Sequence, residues 1–149
     1  MKKCLMVSYF LLIVLFCFAQ APVRWTYNAI RLDEQTYEIH LVAIVQDPWH
    51  IYSQFTPRGG PSPTKISIAN NPLLTLRGSI KEVGKLNKKY EAVFGVDVHY
   101  FSSGKIEFIQ QVKVRRTAKT NVTGTIEYMA CTDDECLTPV TINFSVNLD

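Results

Sequence analysis

The sequence predicts an all-β fold, an antiparallel sandwich of about seven to nine short strands, and three observations carry that prediction. Val, Ile, Thr, Tyr, Phe and Trp, the side chains that suit a half-buried pleated surface, supply 48 of the 130 residues from Gln20 to Asp149. Apolar and polar residues alternate with period two in several runs, while helical periodicity is hard to find. The stretches between those runs are rich in Gly, Pro, Asn, Asp and Ser, which is turn chemistry.

Residues 1–19 stand apart from the strands. Met1-Lys2-Lys3 is a short basic start, and Leu5 to Ala19 is a 15-residue apolar run broken only by Ser8 and Tyr9. Ala19-Gln20-Ala21 places small residues at its end, so the layout is that of a secretory signal peptide. The run is short for a membrane span, which needs about 20 apolar residues. Cleavage is expected after Ala19, because a cut after Ala21 would leave Pro22 first. Removing the signal lowers the apolar count from 70 of 149 residues to 54 of 130, and the net charge from +3 to +1 as Lys2 and Lys3 leave. Cys4 and Cys17 leave as well, so the mature chain keeps Cys131 and Cys136.

Residues 20–149 then read as a single domain, since this length builds one core and not two. A charge near neutrality gives no basic footprint for nucleic acid. Two cysteines cannot make a disulfide-dense miniprotein. No second apolar run follows, so with the signal cut an integral membrane protein is excluded as an expectation.

Along that domain, Asp33-Glu34-Gln35 separates the first two strands. In the second, Tyr37, Ile39, Leu41, Ala43 and Val45 alternate with Thr36, Glu38 and His40. Its other face turns apolar at Val42 and Ile44, the mark of a central strand covered on both sides. Pro57 to Pro63 is a loop, Asn70-Asn71-Pro72 a turn, and the polar, basic stretch Lys85 to Lys89 an expected exposed loop. Phe94, Val96, Val98 and Tyr100 alternate with Asp97 and His99, and Ser102-Ser103-Gly104 reads as the turn of a hairpin. Val140, Ile142, Phe144, Val146 and Leu148 alternate with Thr141, Asn143, Ser145 and Asn147, giving a last strand with one core face and one wet face. Short antiparallel strands with frequent turns point to an immunoglobulin-like sandwich.

The chemistry is concentrated in Tyr128-Met129-Ala130-Cys131-Thr132-Asp133-Asp134-Glu135-Cys136-Leu137-Thr138-Pro139. A strand is expected to run into Cys131, Cys136 to open the final strand, and the polar Thr132 to Glu135 to form a tight loop. Two cysteines at the base of such a hairpin can come within the Cα separation of about 4.4–6.8 Å that a disulfide requires. A bridge closing so short a loop removes little chain entropy, and a sandwich staple more often links the two sheets. A short-loop dithiol suits reversible cycling. The residues favour a redox pair over a structural staple, with metal ligation a distant third, and leave all three open.

Two thiolates make half a zinc site, and His40, His50 and His99 fall at no ligand spacing from either cysteine. Asp133-Asp134-Glu135 lacks the alternating ligands and the Gly of a calcium loop and reads as a solvated loop. Its negative charge beside the cysteines disfavours thiolate formation until a partner docks. No metal and no small-molecule cofactor is expected. No Ser-His-Asp order and no phosphate-binding Gly-rich loop is visible.

Tyr128-Met129-Ala130-Cys131 through Cys136-Leu137-Thr138-Pro139-Val140-Thr141 resembles the active-site hairpin of the N-terminal periplasmic domain of DsbD, the disulfide bond corrector family. Trp49-His50-Ile51-Tyr52 resembles that family's aromatic stretch after the second strand. Tyr90-Glu91-Ala92-Val93-Phe94-Gly95, followed by Val96 to Phe101, resembles its cap loop and next strand. The resemblance spans Trp25 to Val146, and the cysteine hairpin is its specific part.

The resemblance implies an immunoglobulin-like domain that takes electrons from a membrane-embedded donor and passes them by thiol–disulfide exchange to thioredoxin-like periplasmic proteins. It implies Cys131 and Cys136 as a reversible redox pair. It implies Val93 and Phe94 as a cap, Tyr90 and Glu91 in the same loop, and His50 and Tyr52 lining the site. Thr138 stands where the family has the first of two prolines, and Val93 where it has an aromatic cap residue. The chain lacks the family's membrane and thioredoxin domains, so donor and acceptor are both expected in trans and reductase activity is left open. The expected location is the periplasm or another exported compartment. The alternative is a non-catalytic immunoglobulin-like binding module with a structural disulfide, presenting Trp49, Tyr52, Phe55 and Tyr90 to a protein partner.

Overall fold

The computed structural model describes residues 21–115 and 119–148. The expected signal peptide, 1–19, lies outside the described residues. Eleven strands appear in the described chain: β1 (Val23–Arg31), β2 (Thr36–Val45), β3 (His50–Tyr52), β4 (Lys65–Ile68), β5 (Leu74–Val83), β6 (Leu86–Glu91), β7 (Val96–Phe101), β8 (Gly104–Val114), β9 (Thr120–Tyr128), β10 (Ala130–Cys131) and β11 (Val140–Leu148). Eight of them have six residues or more, within the expected range, and β3, β4 and β10 are shorter additions.

Pairing is antiparallel throughout and builds three sheets, in the orders β1-β2-β8-β5, β10-β3-β7-β6 and β11-β9-β4. The first sheet is one layer of the sandwich, and the two smaller sheets face it across a shared core. Period two decides what enters that core. Tyr37, Ile39, Leu41, Ala43 and Val45 of β2 are all buried, as are Ile106, Phe108, Val112 and Val114 of β8. Opposite them lie Ile51, Phe101, Val122, Ile126, Tyr128, Phe144, Val146 and Leu148. Each fully buried side chain of Leu, Ile or Phe size contributes roughly 1.5–3 kcal/mol through its removal from water.

Five expectations need correction. The second face of β2 is not covered, since Val42 is only partly buried and Ile44 is 40 % exposed. Ser102 and Ser103 do not close a hairpin, because β7 pairs with β3 and β6 while β8 pairs with β2 and β5. The turn instead carries the chain from one layer of the sandwich to the other. Lys85 to Lys89 is not a loop: Leu86–Glu91 forms β6, an exposed edge strand. Lysines on an edge discourage pairing with another chain, so a basic composition is compatible with strand there. Phe94 sits in the turn of residues 92–95 and not in β7. Finally, the last strand begins at Val140 and not at Cys136, and Val140 itself is exposed.

Candidate functional site

The cysteine segment owes its position to a change of sheet. β9 ends at Tyr128 in the third sheet, and after Met129 the chain enters β10 in the second sheet. There Ala130 stands opposite Ile51, and Cys131 opposite His50. Across the next ladder Ile51 stands opposite Phe101, and Tyr52 opposite Tyr100. Alternation then sorts the two faces of this sheet. Ala130, Ile51 and Phe101 enter the main core. Cys131, Tyr52 and Val98 form a second small cluster on the other face, joined by Val96, Tyr100 and Met129.

Cys131 and Cys136 form a disulfide with Cα atoms 4.1 Å apart. The loop between them is held by its own hydrogen bonds. The Thr132 N–H donates to the Glu135 carbonyl at 2.8 Å, and Thr132 Oγ1 accepts from the N–H groups of Asp134 and Glu135 at 3.2 and 3.1 Å. The Leu137 N–H closes the base by donating to the Ala130 carbonyl at 2.9 Å. The two halves of the bridge differ sharply in access: Cys131 is fully buried at 0 % exposure, while Cys136 is exposed.

Cys136 opens onto a cleft of about 290 Å³. Its wall includes His50 and Tyr52 of β3, Glu91 at the end of β6, Phe94 of the following turn, and Asp133 of the cysteine loop. That turn is tied by the Glu91 carbonyl, which accepts from the N–H groups of Phe94 at 3.0 Å and Gly95 at 2.8 Å. Gly95 has φ +68°, a left-handed conformation that other residues adopt only with strain. Of the residues singled out in the sequence, Cys136, His50, Tyr52, Glu91 and Phe94 therefore meet at one cleft, with Cys131 buried behind it. Val93 is 90 % exposed and Tyr90 63 %, and neither lies on the cleft wall. Among the aromatic residues of the binding-module alternative, Tyr52 is buried and Trp49 packs on the main core, which leaves Phe55 and Tyr90 exposed.

Sequence reasoning did not single out Pro61, Lys89, Val98 or Tyr100, which also line the cleft. Val98 and Tyr100 carried a signal, since they share a period-two face in β7. Lys89 and Pro61 carried none, because strand pairing and loop folding bring them there. The loop bearing Pro61 is anchored by side chains. Ser53 Oγ donates to Glu82 Oε2 at 2.6 Å, the Gln54 N–H donates to Glu82 Oε1 at 2.7 Å, and Thr56 Oγ1 donates to the His99 carbonyl at 2.7 Å.

The electrostatics of the cleft are mixed. Lys89 Nζ and Glu91 Oε1 form an ion pair at 2.9 Å, and the hydrogen bond to Glu91 raises the lysine above its usual range. His50 Nε2 lies 3.2 Å from the Tyr52 hydroxyl, with the two rings edge to face and their centroids 5.4 Å apart. Burial pushes the His50 pKa down. Asp133 and Glu91 oppose that shift, and Lys89 adds to it. Burial, helped by Glu91, raises the Tyr52 phenol. Chemically, the cleft brings the exposed Cys136 half of the bridge together with the Phe94 ring and, on the strand paired with that of Cys131, an imidazole that burial biases toward its neutral form.

No protein-family model matches the sequence, and no curated protein sequence matches it significantly. Solved structures do match. The N-terminal domain of DsbD from Neisseria meningitidis, in its reduced form, superposes with a TM-score of 0.50 at 12% identity, covering 84% of this chain and 86% of that one. The N-terminal periplasmic domain of ScsB from Proteus mirabilis superposes with a TM-score of 0.51 at 16% identity, covering 85% of this chain and 45% of that one. The fold is thus that of DsbD N-terminal domains, an all-β immunoglobulin-like sandwich.

Proposed function

We propose that this protein is an exported thiol–disulfide exchange domain. In this reading it relays electrons through the Cys131–Cys136 pair between a membrane electron donor and thioredoxin-like proteins. The observation that carries the reading is the asymmetry of the bridge. A structural staple gains nothing from presenting one sulfur to solvent at the mouth of a cleft, whereas exchange requires an in-line approach of an outside thiolate to one sulfur. The short loop adds support, because closing it contributes little chain entropy to stability.

Within that reading each residue takes a role that its position supports. Cys136 is the sulfur that bonds to the partner, and Cys131 is the sulfur that leaves or resolves. Phe94 shields the pair as a cap, while the fully exposed Val93 leaves the shielding to its neighbour. His50, Tyr52 and Glu91 line the docking cleft, and Tyr90, next to Glu91 in β6, is exposed to solvent. The signal-like pattern read in residues 1–19 and the periplasmic setting of the ScsB domain support export to an oxidising compartment.

The test is capture. Cys131→Ser, which keeps the exposed thiol and removes the resolving one, should accumulate mixed disulfides with thioredoxin-like proteins in the exported fraction. Recovery of no such adduct, together with an intact fold, would leave the bridge as a structural feature.

A further inference from the structure

We propose that His50 is the proton acceptor for Cys131 when that residue resolves a mixed disulfide, an inference that rests on the exchange reading above. Cys131 is fully buried among Tyr52, Val98 and Met129, so solvent cannot take its proton, and apolar burial disfavours a thiolate. The resolving step therefore needs a base inside the protein. His50 is the residue directly opposite Cys131 in the β3–β10 ladder. Directly opposed residues of an antiparallel pair project to the same face with Cβ atoms about 4.5–5.5 Å apart.

The groups around His50 suit that task. Tyr52 on the same strand engages Nε2; in the tautomer whose Nε2–H donates to the Tyr52 hydroxyl, Nδ1 carries the lone pair that takes the proton. Tyr100 of β7 packs on the ring with centroids 5.1 Å apart. Lys89 and Glu91 of β6 face it but are paired with each other, and Asp133 faces it from the exposed cysteine loop. Burial biases the imidazole toward its neutral, proton-accepting form. No carboxylate occupies the register position opposite Cys131.

The Cys136 thiolate attacks one sulfur of a partner disulfide, and the other partner sulfur leaves with the electron pair. Cys131 then gives its S–H proton to His50, and its sulfur attacks Cys136 Sγ. The Cys131–Cys136 bond forms, and the bond from Cys136 to the partner breaks, with its electron pair leaving on the partner sulfur. Two electrons have passed from the dithiol to the partner disulfide, and the imidazolium releases its proton to the departing thiolate or to solvent. In reverse, the imidazolium protonates Cys131 as it leaves.

The experiment follows the reduced protein reacting with the aromatic disulfide dithionitrobenzoate, which releases one chromophore when Cys136 attacks and a second when Cys131 resolves. In the wild type the second phase should be flat with pH where His50 is neutral and fall as it protonates. In His50→Gln, and in His50→Phe, which keeps an aromatic ring beside Tyr52 and Tyr100, the second phase should slow by about 10²-fold near neutral pH. It should also rise about tenfold per pH unit, as free thiolate does below its pKa. The first phase, at exposed Cys136, should change far less than the second, and circular dichroism with urea unfolding reports the fold. A second phase in both variants with the wild-type rate and pH profile overturns the role of His50 and leaves the exchange reading standing. A wild type with no second phase overturns both.

Discussion

Removing one cysteine at a time should reveal a large difference in reactivity between the two thiols. In Cys136→Ser the remaining thiol belongs to Cys131, which is fully buried; in Cys131→Ser it belongs to the exposed Cys136. For a reagent to reach Cys131, the loop from Thr132 to Leu137 must swing away from it. That opening breaks the Leu137 N–H to Ala130 and Thr132 N–H to Glu135 hydrogen bonds and strips the thiol of its contacts with Tyr52 and Val98. Two backbone hydrogen bonds at about 1 kcal/mol each, plus about 1 kcal/mol for exposing a small apolar side chain, give an opening cost of roughly 3 kcal/mol. Every 1.4 kcal/mol is about a factor of ten, so Cys131 should react roughly 10²-fold more slowly than Cys136. The assay is the pseudo-first-order reaction of each variant with an aromatic disulfide, natively and in guanidinium chloride. The two rates should converge on denaturation and differ natively. Equal native rates would refute the reasoning, because they would mean that burial of Cys131 does not control access.

Phe94→Ala should expose the bridge and speed its reduction by a small dithiol several-fold, roughly the effect of about 1 kcal/mol, whereas Val93→Ala, at a site 90 % exposed, should leave the rate unchanged. Kinetics of disulfide reduction under excess dithiothreitol distinguish the two. Gly124→Ala should destabilise the fold by about 1–3 kcal/mol, because a Cβ there collides with the Ser67 carbonyl and approaches the Phe144 ring at 2.7–2.8 Å; urea unfolding measures it. His50 should make stability depend on pH. Its folded-state pKa lies below the unfolded value of 6.5, so the unfolded chain binds more protons and stability falls as pH drops from about 6.5 through the folded pKa. Denaturation midpoints across that window should slope in the wild type and flatten in His50→Gln.

The sandwich was legible where a strand's own alternation reports its burial. In β2, Tyr37 to Val45 alternate into the core as read, but Val42 and Ile44 misled: β2 is an interior strand of its sheet, yet its second face is open. Pairing was not legible. Ser102-Ser103-Gly104 marks a reversal of the chain, but turn residues state only that the backbone turns, not which sheet receives the next strand. Edge strands are likewise hard to read. β6 is basic and exposed because one of its edges faces solvent, and composition alone cannot separate that from a loop.

The candidate site was legible at its sulfurs, since the spacing of Cys131 and Cys136 leaves room only for a tight loop. The surroundings depended on register. His50 faces Cys131 only because β10 pairs with β3 at that offset, and a slip of one residue would turn Cys131 into the main core. Phe94 rather than Val93 lines the cleft because the turn at 92–95, closed by Gly95, aims one side chain inward and leaves the other in solvent.

The reduction potential of the Cys131–Cys136 bridge, determined by equilibration against glutathione or dithiothreitol buffers, tests the exchange reading most directly. A relay should fall in the range of exchange proteins, about −120 to −270 mV. A value below about −300 mV, where structural bridges typically lie, would contradict it.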